Sequence, residues 1–172
     1  MSEEESFSLK VIAIFIAANK GDPMELLQSV KAVVGRGLEG DRYATRTGAY
    51  SGVRVPDEYR EVSFISTDGI AQANAEIEAQ GIKPFSYAET RRNIVVEMKN
   101  NDLNALVGKT IRIGEAQVQV MEECFPCTRP GIIIGRPSGE ARAFDLAFKS
   151  RSGIRGKVIR TGTISQGACL EG

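Results

Sequence analysis

A mainly β, barrel-like fold of antiparallel strands with two or three short helices is the expectation for this chain, and three observations carry it. Short runs rich in valine, isoleucine and phenylalanine recur along the sequence, glycine and proline punctuate them, and strand and helix patterns do not alternate strictly. Six to eight such strands suit an antiparallel sheet or barrel better than a doubly wound fold. With 172 residues the chain reads as one domain over 1–172, large enough to bury about 70% of the surface its unfolded form exposes. Residues 1–8 are expected to form a flexible N-terminus.

Residues 9–18 form an apolar run that Gly21-Asp22-Pro23 terminates, so they read as a strand and turn. Residues 24–34 admit both a helical and an extended period. Three glycines between Gly35 and Gly40 suit a loop, and residues 45–59 read as a polar, mobile loop. A strand over 61–66 follows, then a helix over 68–80 capped by Thr67 and stopped at Gly81. Its apolar stripe through Ile70, Ala73 and Ile77 is core packing. Residues 91–97 read as a strand with its cations at the entrance, and 103–108 as one helical turn closed by glycine. Residues 109–113 and 116–121 alternate apolar and polar around Gly114-Glu115, which predicts a hairpin half buried on one face. A Gly/Pro-rich loop over 130–139, a helix over 141–149 and two last strands within 156–170 complete the chain.

Lys plus Arg and Asp plus Glu number 22 each, so no overall field draws the protein to nucleic acid or to an acidic membrane. Any anion site must therefore be a local cluster. The opening residues are acidic where a signal peptide is basic, and the apolar run 11–18 is too short to span a bilayer. An odd number of cysteines, 3, fits a reducing compartment, and a cytoplasmic location is expected. Histidine is absent, which removes serine-histidine triads, thiol-histidine pairs and imidazole zinc sites.

Reactive chemistry then concentrates on Glu123-Cys124-Phe125-Pro126-Cys127-Thr128-Arg129-Pro130-Gly131, delivered by the second hairpin strand. A nearby arginine favours a thiolate, which makes Cys127, two residues before Arg129, the leading candidate. A zinc site lacks ligands, since Cys169 lies far away in sequence. A thioredoxin-like dithiol relies on a helix starting at the motif, and Pro130-Gly131 is expected to break one. The plain alternative is a non-enzymatic anion-binding or interaction module with inert, buried cysteines; free cysteine is among the most buried residue types, and Cys169 fits that reading most readily.

Thr90-Arg91-Arg92-Asn93 places two guanidinium forks and an amide at a strand entrance, suited to phosphate or carboxylate. Strand alternation would send the two arginines to opposite faces and selects Arg91 as the one beside Asn93. The glycine loop and Lys20 are further anion-binding candidates, the loop's alternative being a tight turn with Asp41 and Arg42 paired.

The ordered set Gly37-Leu38-Glu39-Gly40-Asp41-Arg42-Tyr43, residues 61–66, Arg91-Arg92-Asn93-Ile94-Val95-Val96, residues 103–113 and Pro126-Cys127 resembles the MOSC family. The resemblance extends from about residue 9 to the closing 162–167 segment. These domains are similar to the C-terminal part of molybdenum cofactor sulfurase. The resemblance implies a β-barrel of the pyruvate-kinase-like type and binding of the pterin-based molybdenum cofactor, molybdopterin. It also implies a cysteine, here Cys127, that ligates molybdenum or carries sulfur as a persulfide. It makes Arg91, Asn93, Lys20, Arg42 and Arg129 candidate cofactor-binding residues. A pyridoxal-phosphate-dependent cysteine desulfurase or an electron-donor protein is the implied partner, and reduction of N-hydroxylated compounds an implied activity. Tyr43 stands where many bacterial relatives have histidine, and Pro126 where the reductases carry arginine. The resemblance therefore transfers no role to position 43 and points to cofactor or sulfur handling ahead of reduction.

Overall fold

In the computed structural model, which describes residues 9–171, eleven strands and four α-helices follow the chain. The expected flexible residues 1–8 lie outside the described residues. The strands are β1 (Leu9–Ile16), β2 (Glu25–Leu27), β3 (Ser29–Val33), β4 (Gly37–Leu38), β5 (Val62–Ser66), β6 (Ile94–Glu97), β7 (Thr110–Ile113), β8 (Ala116–Glu123), β9 (Ile154–Arg160), β10 (Gly162–Ser165) and β11 (Cys169–Glu171). The helices are α1 (Thr67–Glu78), α2 (Asn100–Asn104), α3 (Arg129–Ile133) and α4 (Ser138–Ala147).

Seven strands close a barrel in the order β1-β11-β7-β8-β9-β5-β6, with β6 returning to β1; β2 pairs with the far end of β1, along the same edge as β11. Closure removes the free edges that an open sheet would present. The expected hairpin is formed by β7 and β8, with Ile113 opposite Ala116. Every barrel pair is antiparallel except β5 and β6, which run parallel because α1 carries the chain across between them. A small sheet of β10, β3 and β4 packs beside the barrel.

The alternation of strand side chains divides the core into two layers. Val62, Phe64, Ile94, Val96, Ile111, Val118 and Ile154 fill the barrel interior. Ala13, Phe15, Ile65 and Val95 face outward, where Ile70, Ala73 and Ile77 of α1 and Phe144, Ala147 and Phe148 of α4 cover them. A register shift in β1 between Val11 and Ala13 lets Val11 and Ile14 both point inward.

Several local expectations are corrected. Strands and helices outnumber the six to eight and two or three expected, because very short strands such as β4 carry too few residues to show a period. Residues 24–34, ambiguous in sequence, are β2 and β3, selected by their partners β1 and β10. The cap of α1 is Ser66, whose hydroxyl accepts from the Gly69 N–H at 2.7 Å, rather than Thr67. The short turn expected at 103–108 begins earlier, as α2. The 130–139 segment contains α3 and the start of α4, because Pro130 falls in the first helical turn, where a missing N–H costs nothing. The 156–170 segment holds three strands rather than two.

Candidate functional site

One pocket lies where β1 and β8 end and β5, β6 and β9 begin, and the loops adjoining those strand ends complete its wall. Its enclosed space is about 100 Å³, on the order of three liquid waters, enough for a small oxyanion or the end of a larger ligand. Lys20, Arg42, Arg91, Asn93, Cys127 and Arg129, the residues expected to hold cofactor or metal, line it. So do Arg60, Arg92, Arg155, Tyr50, Ser63 and Cys124, and among the described residues no carboxylate does.

The loop after β4 is organised by Asp41, which is fully buried. Its carboxylate accepts from the N–H groups of Ala17 and Tyr43, both at 3.1 Å, and from the Arg42 guanidinium at 3.0 Å. The Asp41–Arg42 pair anticipated as an alternative is thus formed, and it fixes Arg42 at the pocket wall. Arg42 in turn reaches the Arg91 carbonyl at 3.5 Å.

Strand alternation does not sort Arg91 from Arg92, and both line the pocket. β6 begins only at Ile94, and Arg91 ends the 3₁₀ turn Ala88–Thr90 in a left-handed conformation with φ 61°. The backbone there has no strand period. Arg91 donates to the Asp22 carbonyl at 2.8 Å. Burial first, then the neighbouring Arg42 and Arg129, lower its pKa to about 10. Arg92 is tied to Ser152, donating to its carbonyl at 2.7 Å and its hydroxyl at 3.0 Å. Asn93 lines the wall with its amide engaged inside the protein. Its oxygen accepts from the Ser63 N–H and hydroxyl, both at 3.1 Å, and its nitrogen donates to the Phe15 carbonyl at 3.0 Å. Asn93 therefore ties β1, β5 and β6 together at the pocket floor.

The β8–β9 ladder delivers the cysteines: the Cys124 N–H donates to the Gly153 carbonyl at 2.8 Å, continuing the strand pairing. Cys124 is buried at 4% exposure, Cys127 is half-buried, and Cys169 is exposed on β11, outside the pocket. The burial expected of inert cysteines thus holds for Cys124 and not for Cys169. Helix α3 begins two residues after Cys127, so the helix that Pro130-Gly131 was expected to prevent is present, though only five residues long. Arg129 opens it and forms no ion pair among the described residues.

Sequence reasoning missed Tyr50, Arg60 and Arg155. The Tyr50 hydroxyl lies 3.7 Å from Cys127 Sγ. Burial first, and then the contact with Cys127, raises the pKa of Tyr50, so the phenol keeps its proton and can donate to sulfur. Arg60 places its guanidinium 5.8 Å from the centre of the Tyr50 ring. Burial, reinforced by the neighbouring Arg155, lowers its pKa. Arg155 is neutralised by Glu122 at 2.6 Å. The polar 45–59 segment carried no periodic signal, and only its folding over the pocket reveals Tyr50.

With Arg42 and Arg155 paired to carboxylates, Lys20, Arg60, Arg91, Arg92 and Arg129 leave the pocket strongly electropositive around Cys127 and the buried Cys124. Among the described residues no three Cys, Asp or Glu side chains converge as a metal cluster, and no helix is long and apolar enough to cross a membrane. The fold and site define a β-barrel protein with a cationic, cysteine-bearing pocket. The chain belongs to the MOSC domain family, whose model matches residues 35–171. No match was found among curated proteins. Among solved structures, the YuaD protein from Bacillus subtilis superimposes with a TM-score of 0.77 at 21% identity, covering 95% of this chain and 94% of that one. YiiM from Geobacillus stearothermophilus gives 0.64 at 16% identity, covering 95% and 74%. YiiM from Escherichia coli gives 0.60 at 18%, covering 95% and 67%. At these identities the likeness is one of fold.

Proposed function

We propose that this chain binds the pterin-based molybdenum cofactor, with Cys127 as the protein's ligand to the metal. The observation that carries the reading is a half-buried thiol in the wall of a pocket lined by cations and, among the described residues, by no carboxylate. The donor set fits the group. A thiolate is a soft ligand of the kind molybdenum accepts, and guanidinium groups hold phosphate through charge-assisted, bidentate hydrogen bonds. Burial first, and then the neighbouring Arg42 and Arg129, hold Arg91 at reduced pKa, and a bound anion relieves the repulsion among these cations.

When bound, the cofactor supplies a redox-active metal carried by the pterin's own sulfur atoms. The chain's residues do the rest. Arg91, Arg42, Arg129 and Lys20 attract and orient the anionic end. Asn93 and Asp41 hold the wall in register, and Tyr50 donates a hydrogen bond to the Cys127 sulfur. Reduction of an N-hydroxylated compound would require an electron-donor partner.

The same thiolate serves a sulfur carrier: it would attack the outer sulfur of a desulfurase persulfide, form the new S–S bond, and release the donor's thiolate. One experiment separates the two. The protein is loaded with molybdenum cofactor and gel-filtered, and molybdenum per chain is counted for wild type and Cys127→Ser. Near-stoichiometric metal that the variant loses supports ligation. Metal retained by both variants refutes Cys127 as the ligand, and metal retained by neither moves the function to sulfur transfer or to a non-enzymatic module.

A further inference from the structure

Arg60 is a cation whose hydrogen bonding is half finished. It is 7% exposed, and its Nη1 donates to the Val53 carbonyl at 2.8 Å and the Val55 carbonyl at 3.3 Å. Its Nε is buried without any partner, and its Nη2 makes no hydrogen bond among the described residues. These two nitrogens form the side-on edge of the guanidinium, the edge that grips a carboxylate or phosphate through two parallel bonds. A buried, unsatisfied charged donor costs on the order of 1–3 kcal/mol or more, so the arrangement calls for a missing acceptor.

The surroundings give that acceptor a place. Arg60 lines the pocket, and the Tyr50 ring that stacks on it carries the hydroxyl touching Cys127. Arg60 thus stands one tyrosine ring from the reactive sulfur. The charged neighbours of Arg60 are Arg155, Asp57 and Glu122, whereas those of Arg91 are Arg42, Arg129 and Asp41. The two arginines serve different parts of the pocket.

We infer that Arg60 is a specificity-determining residue that seats the carboxylate or phosphate of a small anionic substrate, on the far side of Tyr50 from the reacting centre at Cys127. The inference rests on the cofactor reading for the word substrate, and the oxyanion seat can be tested separately from it.

Benzoate and inorganic phosphate serve as probes, titrated into protein with and without loaded cofactor while the Arg60 Nε–H resonance is followed by NMR. The expected result is a shift of that resonance on titration, persisting in the loaded protein. In Arg60→Lys, probe affinity should fall about tenfold, since the charge stays and the fork is lost, while molybdenum per chain is unchanged. A silent Arg60 resonance, or equal probe affinity in Arg60→Lys, overturns the seat. Loss of probe binding on cofactor loading, or loss of molybdenum in Arg60→Lys, assigns Arg60 to the cofactor and overturns the substrate role. Failure of wild type to retain molybdenum sinks the cofactor reading and the substrate role with it, while a probe-dependent Arg60 shift would still establish the oxyanion seat.

Discussion

Replacing Asp41 by alanine should unsettle the whole pocket wall from a single position. The carboxylate is fully buried and receives two backbone N–H groups, from Ala17 and Tyr43, and the Arg42 guanidinium. Removing one partner of a buried ion pair costs about 3–5 kcal/mol, because the other charge stays buried and uncompensated. The two orphaned N–H groups would each add about 1–3 kcal/mol if independent, but groups sharing one acceptor do not add. A loss of about 4 kcal/mol follows, and for a chain of this size each kcal/mol moves Tm by about 2–4 °C. Asp41→Ala should therefore melt on the order of 10 °C below wild type, and Asp41→Asn, which keeps an acceptor oxygen, should lie between. The assay is urea unfolding at neutral pH with thermal melts in parallel; a lowered midpoint at unchanged slope marks a stability effect. A midpoint corresponding to less than about 1 kcal/mol in Asp41→Ala would refute the claim that this carboxylate holds Arg42 and the loop in place.

Two further outcomes can be checked on the same instruments. Gly153 has φ +90°, and an added Cβ would collide with the Phe64 carbonyl of β5; Gly153→Ala should lose about 3 kcal/mol or more, and wild-type stability would contradict the close β5–β9 approach. Burial raises the pKa of Glu61, whose carboxylate accepts from the Val158 N–H at 3.0 Å. The folded state therefore binds this proton more tightly than the unfolded chain, and the group's contribution to stability declines as pH rises from about 4.3 through the raised value, then levels. Glu61→Gln removes that decline, so its stability relative to wild type should improve from pH 4 towards neutrality, and parallel pH–stability curves would contradict it.

The parts of the fold visible in sequence are those decided by neighbours in the chain. The β7–β8 hairpin follows from alternation around Gly114-Glu115, and α1 follows from the spacing of Ile70, Ala73 and Ile77. The hairpin also places Cys124 and Cys127 at a strand end, which made the thiol site legible. Barrel closure was less so: β1 meets β11 through the pairs Leu9–Leu170 and Lys10–Cys169, and no local pattern records a pairing at that separation. Strand alternation failed at Arg91 and Arg92 because a left-handed residue precedes β6.

The sequence by itself determined the chemistry on offer: with no histidine, reactivity is left to thiols, carboxylates or a bound cofactor, and the order of short motifs pointed to the family and barrel class. Residue type and spacing along the chain suffice for that. Only the tertiary structure decided which cations converge. Asp41 and Glu122 neutralise Arg42 and Arg155, while Arg60, distant in sequence from Cys127, stands one tyrosine ring from its sulfur with a free edge. The reason is physical: charge compensation and burial depend on distance in space, and the closed barrel, not the order of residues, sets those distances.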